Sequence, residues 1–100
     1  MTNVANAAEE TASGRAIITV LGSDRPGIVA AVAGALSERE ANILDISQTI
    51  LQGTFTMTML VDLASAEFSE LKSALDALAE QLGVQINLQR EEVFKFMYRL

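Results

Sequence analysis

NILDISQTILQGTFTMTMLVD, residues Asn42–Asp62, is the stretch that decides the fold. Its second half, Thr54–Asp62, sets Phe55, Met57, Met59 and Val61 against Thr54, Thr56, Thr58 and Leu60. That period of two belongs to a strand with one buried face and one wet, threonine-rich face, and it puts both methionines in a core. The first half, Asn42–Leu51, is too rich in β-branched and apolar residues to be a loop, and Leu44, Ile46 and Ile50 share one side of an alternation that Gln48 interrupts. Between the halves, Gln52-Gly53 supplies the positive φ that a two-residue hairpin turn demands. A hairpin therefore occupies the middle of the chain, and the flanking segments are to be arranged about it.

On the N-terminal side, Ala16–Leu21 (AIITVL), closed by Gly22, predicts a strand. After Pro26, residues Ile28, Val32, Ala35 and Leu36 recur at the spacing of one helical face, and Ser37, Glu38, Arg39 and Glu40 close that helix. On the C-terminal side, Ser65 is expected to cap a second helix carrying Phe68, Leu71, Leu75, Leu78 and Leu82, with Gly83 as its stop. Val84–Gln89 then alternates into a fourth strand. The order β-α-β-β-α-β predicts an α+β, ferredoxin-like sandwich: an antiparallel sheet in the order 4-1-3-2 with two helices on one face.

A chain of 100 residues supports one domain. Residues 1–14 lack apolar period and are expected to form a disordered leader, 15–90 the domain, and 91–100 a C-terminal extension. In that extension Val93, Phe96, Met97 and Leu100 share a helical stripe that packs on its own domain or on a partner. Half of the residues are apolar, more than a small monomer with a polar leader easily buries, which points to an oligomer. The net charge of -6 and only 7 Lys and Arg exclude a phosphate-backbone footprint, so no nucleic acid is expected. No cysteine and no histidine are present, which removes thiolate chemistry, the usual general base and the commonest metal ligands; Asp45, Asp62 and Glu67 are expected to be solvated acids, and no metal or cofactor is predicted. Neither a signal sequence nor an apolar run of bilayer length occurs, so a cytoplasmic protein without membrane contact is expected.

Gly22–Ala30, GSDRPGIVA, lies where the first strand gives way to the first helix. The first amides of a helix lack intrahelical partners and sit at the positive end of its dipole, so this turn can cradle an anion. Asp24 is expected to cap those amides, with Pro26 near the first helical position and Gly27 leaving room for close approach. These residues by themselves describe an ordinary helix start equally well.

Asp24-Arg25-Pro26-Gly27-Ile28, followed about one helix later by Asn42-Ile43 within ANILDI, resembles the ACT domain family over Arg15 to about Arg90, and most of all its free-standing bacterial members. The resemblance implies a dimeric regulatory domain whose first strand-to-helix loop and second-strand start line a small-molecule site at the subunit interface. Carried over by position, the site residues are Gly22, Ser23, Asp24, Arg25, Gly27, Ile28 and Asn42. Amides of Gly27 and Ile28 would hold a ligand carboxylate, Asn42 would reach it from the neighbouring subunit, and Asp24 favours an ammonium group. Familiar sensors of the family carry polar side chains, commonly His or Asn, where this chain has Gly22 and Asp24. The implied function is non-catalytic binding of an amino acid or related metabolite by a homodimer or higher homo-oligomer, with a regulated protein as a further partner. The alternative is an interaction or assembly module without a small-molecule ligand. An acylphosphatase-like reading, from Arg25 and Asn42 on the same fold, fails because the loop is short of converging backbone donors and Asp24 opposes a phosphate.

Overall fold

The computed structural model describes residues 14–98; residues 1–13 of the predicted leader, and Leu100 of the C-terminal stripe, lie outside them. Seven elements follow one another: β1 (Arg15–Ser23), α1 (Ile28–Glu38), β2 (Asn42–Leu51), β3 (Thr54–Asp62), α2 (Phe68–Leu82), β4 (Gln85–Arg90) and α3 (Glu91–Tyr98). The four strands form one antiparallel sheet in the order β2-β3-β1-β4, the ferredoxin-like order expected.

Alternation builds the core. Ala16, Ile18 and Val20 of β1, Phe55, Met57, Met59 and Val61 of β3, and Ile86 and Leu88 of β4 all face the helices and are buried. Against them pack Ile28, Val32 and Leu36 of α1 and Leu71 and Leu75 of α2. Helix α1 lies toward β2 and α2 toward β4, while the helices also touch each other. The opposite face of the sheet is left uncovered by α1 and α2.

Turn chemistry fixes the connections. Gln52 at φ 51° and Gly53 at φ 82° make the predicted two-residue hairpin. Gly83 ends α2 at φ 73°, its N–H bonded to the carbonyl of Ala79 at 2.8 Å. Helix α2 starts later than expected: the residue before it is Glu67, not Ser65. A tight turn with Ala64 at φ 52° and a 2.7 Å bond from Ala66 N–H to Leu63 O uses up the intervening residues, and Ser65 Oγ instead lies 3.4 Å from Glu40 Oε1. Strand β4 begins at Gln85 rather than Val84 and runs on to Arg90.

Strand β2 differs most from expectation. A bulge between Ile43 and Asp45 breaks the alternation, placing Leu44 in the irregularity and leaving Ile46, Gln48 and Ile50 together on the helix side. All ten residues of the strand are exposed. It is a sheet edge, and α1 does not extend over it.

At the C-terminus α3 contacts β1 and β4. Its buried Glu91 pairs with Arg15 at 3.0 Å, while Val93 remains 45% exposed.

Candidate functional site

The loop that sequence reading singled out is narrower than expected, because β1 continues through Gly22 and Ser23, which pair with Phe55 and Thr54. Gly22 is therefore a strand residue. A Cβ there would lie 2.6 Å from Val84 Cγ1 and 3.3 Å from Val84 Cα, so glycine is needed for the close approach of the α2–β4 turn. Residues 24–27 form the actual turn. Gly27, at φ 92° and ψ -3°, occupies the conformation of the second central position of a type II turn, with Pro26 ahead of it at the position proline prefers.

The helix start is accordingly different in kind from the one predicted. Gly27 is the N-cap, Ala31 N–H bonds its carbonyl at 2.9 Å, and no side chain caps the first amides. Asp24 does not serve as the cap, since the Pro26-Gly27 turn stands between it and the helix and Gly27 takes the N-cap position. Nothing lies within 4 Å of where a Gly27 Cβ would stand; the residue is demanded by its dihedral, and the space beside it is open. The side chain of Ile28 is buried in the core, so only its backbone can meet a ligand.

Two bonds hold this turn from either side. Asp24 N–H donates to Gly53 O at the hairpin tip at 2.9 Å, and Arg25 Nη1 donates to Leu82 O at the end of α2 at 2.7 Å. Arg25 thus places its cation at the negative end of the α2 dipole. The exposed carboxylate of Asp24 and the uncapped amides of α1 remain at the mouth of the turn.

Asn42 is not brought to this turn within one chain. Ser23 pairs with Thr54 and Asn42 with Asp62, at opposite ends of β3, a separation of about 27 Å at the usual rise of a strand. The structure assembles Gly22, Ser23, Asp24, Arg25, Gly27 and Ile28 at one end of the sheet and leaves Asn42 exposed at the other. What sequence reading missed are the supports, Gly53, Leu82 and Val84, and the exposure of β2. The second had a visible signal: apolar residues on both sides of Asn42–Leu51 without an internal lysine or proline.

A further groove of about 490 Å³ between the helices, lined by Arg39, Ser69, Glu70, Ser73 and Ala74, lies at the end of α1 remote from the turn and is open to solvent. No helix among the described residues is long and apolar enough to cross a membrane.

Comparison with known proteins agrees with this fold. Residues 15–89 match the model of the ACT domain. The chain belongs to the ACT domain family. A UPF0237 protein of Methanococcus maripaludis is 52% identical over 86 residues, covering 84% of this chain and 96% of the relative. Among solved structures, an ACT domain protein from Streptococcus pneumoniae superposes with a TM-score of 0.71 at 43% identity, covering 81% of this chain and 93% of that one. The ligand-free regulatory subunit of aspartate kinase from Thermus thermophilus gives a TM-score of 0.63 at 27% identity, over 79% of this chain and 52% of that one.

Proposed function

We propose that this protein is a non-catalytic, cytoplasmic regulatory domain that binds an amino acid or related metabolite at the interface of a homodimer. The observation that carries the reading is the separation of the turn from Asn42 by the full length of the sheet, together with the exposed edge strand between them. Antiparallel pairing of two β2 edges in a register centred on the strand would bring the partner's Asn42 opposite Leu51, in the row that runs through Thr54 to Ser23. Helix α1 contacts β2, and its first amides, at Ile28, stand at the end of the sheet where that row lies. The exposed residues Ala30, Gly34 and Ser37 of α1 are small and uncharged, which would let a second subunit approach. In such a site the uncapped amides receive a carboxylate, Asp24 receives an ammonium group, and Asn42 of the partner subunit bridges. The family, with a regulatory subunit among its structural neighbours, supports binding as the purpose of the site.

The commitment of Arg25 to Leu82 O, which a plain connector would also show, favours one second reading: an assembly module whose turn binds nothing. A thermal-shift screen of the twenty amino acids and common metabolites separates the two. A ligand at a hundred times its Kd adds about 2.7 kcal/mol of stability. A shift that Asn42→Ala removes supports the site; no shift with any compound leaves the assembly reading.

A further inference from the structure

The bulge in β2 decides which way the one charge of that strand points. Asn42 pairs with Asp62 and Ile43 with Val61, and then Asp45, not Leu44, pairs with Leu60. Without the extra residue Leu44 would stand opposite Leu60, and Asp45 would stand opposite Met59 on the helix side. The bulge instead turns the Asp45 carboxylate to the face of the sheet away from α1 and α2. Bulges are frequent beside binding sites because they re-aim a side chain in this way. Asp45 is the only charged residue of β2, and the sequence by itself predicts no more for it than solvation.

A cavity of about 120 Å³ lies where this carboxylate arrives, lined by Ile17, Asp45, Ile46, Ser47, Thr58 and Leu60. Its floor is apolar and half-buried, made by Ile17 and Leu60, which oppose each other on β1 and β3. Its rim carries oxygen. Ser47 and Thr58 are opposed in the ladder, which sets their Cβ atoms about 5 Å apart, and among the described residues neither hydroxyl takes part in a hydrogen bond. Ile46 N–H donates to Asp45 Oδ1 at 2.9 Å, which orients the carboxylate and leaves Oδ2 for a further donor. Among the described residues Asp45 has no ion pair. The nearest charges on the face are Asp62, another acid, and beyond it Arg15, which Glu91 holds at 3.0 Å. The cavity is separate from the Asp24 turn, which lies at the far end of β3, the distance from Leu60 to Thr54 being about 20 Å.

We propose that this cavity is a second ligand site, one that takes a primary ammonium group on a short hydrocarbon arm. A primary ammonium carries three N–H donors and no acceptor, and Asp45 Oδ2 with the hydroxyls of Ser47 and Thr58 offers it three acceptors. The bond to the carboxylate is charge-assisted, while the arm covers Ile17 and Leu60 and removes apolar surface from water. Size limits the ligand: an apolar cavity of about 150 Å³ takes up benzene, so this one holds about five or six non-hydrogen atoms. Asp45 and Asp62 repel an anion. A hard metal ion would find a single carboxylate in the cavity, too few ligands to hold it. A quaternary ammonium has no N–H to give the hydroxyls. Edge pairing through β2 engages its backbone and leaves this face open, so the site depends neither on the dimer nor on the ligand of the turn.

Titration of the isotope-labelled full chain with n-butylammonium chloride, followed by amide NMR shifts, tests this. The expected result is saturable shifts at Ile46, Ser47, Thr58 and Leu60 with a dissociation constant in the millimolar range, about tenfold weaker binding of n-butanol, and no shift at these amides with butyrate. Asp45→Asn, at an exposed position where the side-chain oxygen still accepts from Ile46 N–H, is expected to keep the fold and to weaken binding about tenfold; Thr58→Val, of equal shape, gives a smaller loss. Asp24→Asn is expected to leave these shifts as they are. A lysine blocked at both ends carries the same head group: binding of n-butylammonium alone marks a site for free amines, and binding of both marks one that also takes a protein's lysine side chain. Shifts that do not saturate, equal binding of n-butanol, the parent's affinity in folded Asp45→Asn, or loss of the shifts in Asp24→Asn overturns the proposal.

Discussion

The two edges of the sheet are finished in opposite ways. Strand β4 is short, Gln85–Arg90, with Ile86 and Leu88 buried beneath α2 and Gln85 and Asn87 as polar exposed residues. Its end is fastened by the Arg90 guanidinium, 4.5 Å from the Phe68 ring centre, and by the immediate start of α3. Strand β2 is ten residues long, wholly exposed, and carries Ile43, Leu44, Ile46, Ile50 and Leu51 at the surface with Asp45 as its single charge. Edges that must stay monomeric are kept short, charged or covered. β4 meets that description and β2 does not, apart from one bulge, which is the contrast the proposed edge pairing rests on.

The comparison breaks first at β2. Ile46→Lys is expected to abolish edge pairing, read as a halved mass in native mass spectrometry; an unchanged mass would remove the distinction between the edges. Next in size is Gly22→Ala, where the new methyl meets Val84 at the entry to β4. Overpacking there costs about 2 kcal/mol by urea unfolding, and an unchanged midpoint would show that the α2–β4 turn yields freely. Gly27→Ala, with open space but φ 92°, is expected to cost about 1 kcal/mol from backbone strain alone. Smallest is Arg25→Ala, which loses an exposed bond to Leu82 O and a favourable dipole contact worth about 0.5 kcal/mol, with no change in oligomeric mass.

The sheet and its helices were legible because their signals are redundant. Phe55, Met57, Met59 and Val61 alternate without interruption, and Leu71 and Leu75 repeat at helical spacing, so burial follows from pattern. Helix starts were less legible because several residues compete for one cap. Asp24 and Ser65 both have the chemistry of an N-cap, but the tight turns at Gly27 and Ala64 consume the residues between them and the helices. The candidate site was legible as a set of residues, not as a place. Spacing along the chain gives no hint that Asn42 lies a sheet's length from Asp24, because the helix between them runs the chain back to the far end of the sheet.

The bond from Asp24 N–H to Gly53 O joins the turn proposed to take a ligand to the tip of the β2–β3 hairpin. In the proposed dimer, where β2 pairs with a second subunit, a rotation of that hairpin on pairing would be transmitted through one peptide group to the entrance of α1. Under the proposed function, dimer formation and ligand capture would then share a mechanical link, and by reciprocity each would change the affinity of the other.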